Sequence, residues 1–471
     1  MLPTPQSYAV YPSVVPVGVE TLLTVAPAER TFLLYDGEEY KVTLRPVDGD
    51  DDYYRPYCFT DVIAVPKNGV ICVPFTFTME SEYLLYLEKA GKKLATFSLY
   101  ALEADLYALS PLRGDLHSHS FRSDGSHDPA AVAGQFREQG YDFFALTDHN
   151  RRYPGEEIDE TYADTDTGLL RISGEEVHAP GSVLHVVHVG GNESVANRYI
   201  HAREDYEREV KAYETRVPDH VPEEYRARYA RAIWATDAIH AVGGLAIFAH
   251  PFWRPGNRSL NLPVPLARLF LSSGMFDAFE LIGGGGQLAN NRHIALWQEA
   301  RETGVCIPIV GASDVHGMRD AESFPDYFTL CFAKDATEES VVAAIRKGQT
   351  VAVEATGLEY ERRYRVYGSL RLVSYAQFLL HNFFPTLTRL AAGEGVAMRA
   401  FAMGGTDASH IAASARLAKR YRAAFFGRRA PILPDEEARA SVARQRERHL
   451  TEGPPTRGSA VDPSPDREVQ R

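Results

Sequence analysis

Residues 114–149 read GDLHSHSFRSDGSHDPAAVAGQFREQGYDFFALTDH. Two strand candidates, 114–119 and 143–149, flank a helix signal. Asp128 is placed to cap that helix, Pro129 takes its first position, and Gly140 stops it. The stretch therefore reads as strand, helix, strand. The same alternation continues outward, with strand candidates at 170–178, 184–189, 245–251, 278–282, 306–314 and 327–332. Most are unbroken apolar runs, as expected of a parallel sheet buried on both faces. This predicts a barrel-like α/β domain over residues 111–357, interrupted by insertions at about 151–168 and 193–230.

Before this domain, residues 1–110 read as a small β-sandwich. Short segments rich in Val, Leu, Thr, Tyr and Phe (18–25, 30–35, 40–44, 69–77, 83–88 and 93–102) are separated by turn residues such as Asp36-Gly37 and Asn68-Gly69. An acidic stretch at 48–52 reads as a solvated loop. After the α/β domain, residues 358–451 read as a helical extension. The segment 370–390 is apolar on one side, and Arg416, Lys419, Arg420, Arg422, Arg428 and Arg429 form a basic face. Residues 452–471, rich in Pro, Ser, Gly and charge, read as a disordered tail.

The chain has 471 residues, 45% of them apolar, and a formal net charge of −13. That charge argues against stable nucleic-acid binding, which needs a basic footprint. Cys58, Cys72, Cys306 and Cys331 form no CxxC pair and read as reduced, mostly buried thiols. The N-terminus lacks the features of a signal peptide, and no apolar run is long enough to span a bilayer. The expectation is a cytoplasmic protein without a membrane partner.

The chemistry lies at the strand ends. His117 and His119 stand two apart, so on a strand they share a face. Asp124 follows in a turn. The second strand ends in Thr147-Asp148-His149, the third carries Glu175-Glu176, and His185 opens the fourth. Later strands end in His250-Pro251 and in Ser313-Asp314-Val315-His316. Polar groups closing apolar strands are costly to bury unless they are paired or coordinated. Imidazoles and carboxylates without cysteine suit Zn, Mn or Fe. The candidates exceed what one ion can use, so two or three divalent ions sharing carboxylates are expected. Such ions favour hydrolysis by activated water. Two choices stay open: Glu175 or Glu176, and His185 or His188. The latter are three apart and lie on opposite faces, so only one points inward.

The strings DLHSHSFRSDG, ALTDHN, GEEV, FAHP and GASDVHG, in this order, resemble the motifs of the PHP (polymerase and histidinol phosphatase) family over residues 112–355. The β domain in front is similar in layout to the carbaryl-hydrolase-like branch. The resemblance implies a distorted (β/α)7 barrel, two or three metal ions and cleavage of a small, phosphorylated substrate. It implies His117, His119, Asp124, His149, Glu176, His185, His250, Asp314 and His316 as ligands. His117, His119, Glu176 and Asp314 would share one ion. Glu176, His185 and His250 would hold a second, and Asp124, His149 and His316 a third. Asp124, His250 and His316 are the candidate catalytic groups, and Asp148 is expected to orient a ligand imidazole. Arg151, Arg152, Arg254, Arg258 and Arg319 are placed to grip phosphate oxygens, and Trp253 to stack on a ring. The competing readings are a carbamate, ester or amide hydrolase, an oligonucleotide exonuclease, and a non-catalytic module.

Overall fold

A computed structural model describes residues 7–28, 33–48, 60–257, 259–317, 324–357, 362–405, 408–428 and 444. Cys58, Arg258, Arg319, Arg429, most of the acidic stretch and the 452–471 tail lie outside these residues. The first eight strands are β1 (Tyr8–Tyr11), β2 (Val14–Pro16), β3 (Glu20–Pro27), β4 (Tyr40–Pro46), β5 (Thr60–Ala64), β6 (Ile71–Thr76), β7 (Ser81–Lys89) and β8 (Lys92–Leu102). They form a three-stranded sheet, β1-β3-β6, and a five-stranded sheet, β2-β8-β7-β4-β5. Side chains alternate between faces along each strand. One face of each sheet thus supplies a shared core that includes Leu23, Val25, Val42, Leu85 and Leu99. The strand expected at 30–35 is absent from its described part, residues 33–35. Strands β1, β2 and β5 escaped the sequence reading because two are very short and β5 is an exposed edge with little apolar alternation.

The α/β part holds β9 (Ser110–Asp115), β10 (Phe143–Ala145), β11 (Leu170–Ile172), β12 (Gly174–Val177), β13 (Val186–Gly190), β14 (Gly244–Phe248), β15 (Ala278–Ile282), β16 (Ile309–Gly311), β17 (Tyr327–Ala333), β18 (Thr350–Thr356) and β19 (Arg363–Tyr367). Two sheets result, β11-β10-β9-β17-β18-β19 and β12-β13-β14-β15-β16. The all-parallel expectation holds for β9–β10, β10–β11, β14–β15 and β15–β16. It fails for β12–β13, β13–β14, β9–β17 and β17–β18, which are antiparallel. An antiparallel strand buried on both faces is also apolar throughout, so composition alone does not reveal its direction. The single strand expected at 170–178 divides at Ser173 between the two sheets. The helical region expected from 358 begins instead with β19, which pairs with β18.

Backbone contacts join the two sheets just past the strand ends. Ser118 bridges to Val315, and His149 bridges to Glu176. The Glu176 N–H donates to Thr147 O at 3.0 Å, and the Asp314 N–H to His117 O at 3.0 Å. Together with the sheet pairings, these contacts close a ring through β9, β10, β12, β13, β14, β15 and β16. Leu112, Leu116, Phe143, Val187, Ile247 and Val310 pack together as a dry core associated with the ring.

The helix signalled at 128–140 spans Pro129–Glu138, with the Asp128 carboxylate accepting the Ala130 N–H at 2.9 Å. The C-terminal part comprises helices Leu370–Asn382, Phe384–Ala402 and Ala408–Phe425. The apolar segment 370–390 is thus two helices that break at Phe383, just ahead of Pro385. Helix Phe384–Ala402 lies against Pro129–Glu138 so closely that a Cβ at Gly395 would sit 2.0 Å from the Glu138 nitrogen. Within this contact, Arg137 Nε donates to Glu394 Oε2 at 2.7 Å, with both side chains buried. Cys331 is buried but Cys72 and Cys306 are exposed, so the expectation of mostly buried thiols fails for those two. Among the described residues, no helix is long and apolar enough to cross a membrane.

Candidate metal centre

All nine ligand candidates converge where the ring closes. His117 and His119 follow β9, His149 follows β10, His250 follows β14, and Asp314 and His316 follow β16. Glu176 lies within β12. His185 precedes β13 rather than following it, because that strand runs antiparallel and starts at the end where its neighbours finish.

Glu176 is central. Its Oε2 lies 2.8 Å from His149 Nδ1, 3.4 Å from His117 Nε2 and 3.5 Å from His119 Nε2. Its Oε1 lies 2.9 Å from His185 Nδ1 and 3.2 Å from His250 Nε2. Asp314 Oδ1 is 3.3 Å from His117 Nε2 and 3.1 Å from His119 Nε2. Asp124 faces His149 Nε2 at 3.2 Å and His316 Nε2 at 3.3 Å. Two donors bound to one ion at about 2.0–2.2 Å are themselves about 3.0–3.5 Å apart, and these separations match.

The fit to a cation can be tested on individual atoms. His117 Nε2, His149 Nδ1, Glu176 Oε2 and His185 Nδ1 are buried and have no hydrogen-bond partner. Buried polar atoms are normally satisfied. Four orphans aimed at one another are what a cation's ligands look like. Backbone conformation supports the same reading: His250, Asp314 and Asn150 have φ of 21°, 53° and 55°. Left-handed conformations at non-glycine residues cost roughly 1–3 kcal/mol each and gather at functional sites.

Placement separates the members of the two open pairs. Glu175 turns to the opposite side, where it meets His188 Nδ1 at 3.2 Å and accepts the Val195 N–H at 2.6 Å. Glu176 and His185 occupy the cluster. Asp148 does not bind an imidazole directly. Its carboxylate accepts the Ser120 N–H at 2.9 Å and the hydroxyls of Ser120 at 2.7 Å and Ser123 at 2.6 Å. It therefore holds the 120–123 turn and reaches His119 Nδ1 only through Ser123 Oγ, 3.5 Å away. The Trp253 ring lies 5.9 Å from the rings of both His185 and His250, on the wall of the site. Arg151 and Arg254 are exposed. Arg152 is engaged elsewhere, its guanidinium donating to the Gly190 and Gly191 carbonyls.

Two residues were missed. Glu280, a lone carboxylate inside the apolar strand β15, sits 3.0 Å from His117 Nδ1. It fixes the tautomer that turns Nε2 toward the cluster, and a Cβ at Gly283 would press on its Oε1 at 2.5 Å. Its isolation within AFELI was the available signal. The second is His178, two residues after Glu176, whose Nε2 lies 3.3 Å from Glu176 Oε1. Glu280→Ala should weaken metal binding about 10–100-fold, and Glu280→Gln, which keeps an acceptor for the ring N–H, should lose less. Metal titrations giving equal affinity for Glu280→Ala and the parent would refute this positioning role.

No family model and no curated protein matches the chain. Solved structures similar to it include a two-domain protein containing a PHP-like metal-dependent phosphoesterase from Bacteroides vulgatus, 17% identical over 55% of this chain and 76% of that one, TM-score 0.36. A second, described as a metal-dependent phosphoesterase, comes from Bifidobacterium adolescentis, with 19% identity, coverage of 45% and 90%, and TM-score 0.33. A third is an amidohydrolase from Chromobacterium violaceum, with 19% identity, coverage of 45% and 89%, and TM-score 0.30. The chain resembles PHP-like metal-dependent phosphoesterases.

Without metal, the imidazoles and carboxylates of the cluster shift one another's protonation. Burial opposes the His250 cation, but the hydrogen bond to Glu176 and the nearby Asp314 prevail and raise its pKa to about 9. His117 is likewise raised, burial being outweighed by Asp314 and Glu176. Burial lowers His185 to about 4. Burial would raise Glu176 and Asp314, but His117 and the neighbouring imidazoles pull both far down. A raised histidine stabilises the metal-free fold fully below about pH 6.5, and that contribution is lost as pH rises through about 9. Cation binding needs the neutral ring, so apparent metal affinity should rise across the same window. Calorimetry in buffers of different ionisation heat should show proton release on binding at pH 7 that shrinks above pH 9. An identical proton count at both ends would contradict this.

Proposed function

We propose that the chain is a divalent-metal-dependent hydrolase acting by metal-activated water, most suitably on a small phosphate ester. The observation that carries this reading is the convergence of buried, unpartnered imidazole and carboxylate atoms on Glu176. Two or three ions (Zn, Mn or Fe) fit the donor set. When bound, they would activate water and offset the negative charge that builds up in the transition state.

The chain's own residues divide the remaining work by exposure. Asp124 and His316, with side chains 53% and 32% exposed, line the open side where substrate and leaving group are reached. These two are best placed to hold or pass a proton. His250, only 3% exposed, is enclosed and serves better as a ligand than as an acid. Trp253 offers a flat wall for a ring on the substrate, and Arg151 and Arg254 supply cationic groups close by in sequence.

In the same reading, residues 1–110 form a β-sandwich and 111–357 a distorted (β/α)7 barrel. The seven-segment ring supports the barrel, while β19 moves the start of the helical extension past residue 367. A cytoplasmic location and a small-molecule partner without stable nucleic-acid binding belong to this proposal, the latter supported by the net charge of −13.

The test is a substrate panel with Mn, Zn and Fe. p-Nitrophenyl phosphate and nucleoside phosphates and bisphosphates are compared with p-nitrophenyl acetate and aryl carbamates. Faster turnover of phosphate esters supports the proposal. Faster turnover of a phosphate-free substrate would replace it with the ester, carbamate or amide reading of the same site.

A further inference from the structure

We propose that His178 is a tenth metal ligand, binding a divalent cation together with Glu176 and His149 at the mouth of the cluster. This rests on the metal-centre reading above and adds a donor that the nine-residue set lacks.

Three observations carry it. First, His178 Nε2 is buried and has no hydrogen-bond partner, although the ring as a whole is only half-buried. Second, donor atoms of His149, Glu176 and His178 all lie within 4.8 Å of one another. The individual contacts are His149 Nδ1 to Glu176 Oε2 at 2.8 Å and His178 Nε2 to Glu176 Oε1 at 3.3 Å. Two imidazoles and one carboxylate form a recognisable cation set that leaves positions open for water or substrate. Third, the ring is held in place. The His178 N–H donates to Asn150 Oδ1 at 2.8 Å, and the Tyr199 hydroxyl donates to the same oxygen. Asn150 has φ of 55°, and its own N–H is anchored on Glu176 O at 2.8 Å. The His178 ring stacks on His185 with centroids 3.6 Å apart. A left-handed residue and a buried tyrosine hydroxyl are thus both committed to the backbone that presents this imidazole.

His149 makes the arrangement selective. Its Nε2 faces Asp124, its Nδ1 faces Glu176, and its ring lies 4.3 Å from that of His178. A neutral imidazole has one lone pair to give. His149 therefore serves either the outer set, with Asp124 and His316, or the set with His178. His178 offers an ion a second place to sit, nearer Glu176.

The test uses the full chain, stripped with chelator and titrated with Zn or Mn by calorimetry, with bound metal counted by mass spectrometry. The expected result for His178→Ala is that one of the parent's binding events weakens at least tenfold, as its ion falls back on the outer set, the others remaining. A zinc-loaded crystal of the parent should show anomalous density within bonding distance of His178 Nε2. Equal ion number and affinity in parent and variant would overturn the proposal while leaving the metal centre intact. A parent that binds no metal would overturn both. If His178→Ala does not fold, His178→Gln and the anomalous peak decide.

Discussion

Replacing Asp314 with alanine is expected to abolish turnover and strip metal while the chain stays folded. Asp314 Oδ1 is the anion shared by His117 Nε2 and His119 Nε2, at 3.3 and 3.1 Å. It brings negative charge from β16 to the pair supplied by β9. Without it, an ion at that pair has two neutral imidazoles and only Glu176 to balance its charge in a buried pocket, where an uncompensated cation is costly. Metal ions contribute several kcal/mol to transition-state stabilisation, so activity should fall about a thousandfold or more. The fold should survive because the bond closing the ring here, Asp314 N–H to His117 O, is backbone to backbone. Bound metal by mass spectrometry, turnover and circular dichroism check the three parts. His119→Ala should behave alike. Full activity with a full metal complement in either variant would refute the assignment.

The largest stability effect is expected far from the metal centre. Glu394→Ala should destabilise the chain by about 3 kcal/mol, because it leaves the buried Arg137 guanidinium with only the more distant Asp142 carboxylate, 3.8 Å away, as counter-charge. Arg137 and Glu394 are 2% and 0% exposed and meet at 2.7 Å. The Arg137 side chain also donates to the Tyr141 carbonyl at 2.9 Å. Glu394 also accepts the Gly168 N–H, so its loss leaves a second, part-buried donor unsatisfied. The double variant Arg137→Met/Glu394→Leu should recover much of the loss, since a buried ion pair and an apolar replacement of similar volume are often close in stability. Denaturant unfolding of the two singles and the double measures this. A cost below about 1 kcal/mol for Glu394→Ala would show that water reaches the pair.

Much of the metal centre was legible in the sequence because each strand ends in a polar group that an apolar sheet would not otherwise tolerate. His117, His119, His149, His250, Asp314 and His316 stood out for that reason. Glu280 lacked this signature, whereas His178 closes the strand expected at 170–178 and was passed over all the same. Glu280 lies inside a strand instead of at its end, and His178 falls past a residue already chosen. Strand direction was not legible either, because β13 and β17, buried on both faces, look the same whichever way they run.

By itself, the sequence determined the strand–helix alternation, the helix at Pro129–Glu138 and most of the side chains that gather in the cluster. All of these depend on neighbours within a few residues: caps, periodicity and the cost of burying polar groups. The tertiary structure alone decided that Glu176 rather than Glu175 faces the cluster, that His185 enters from an antiparallel strand, and that Arg137 meets Glu394. Those outcomes depend on which segments pair across the ring and which helix covers it. Such contacts join residues far apart in the chain and are set by packing the whole core at once, so no local pattern carries them.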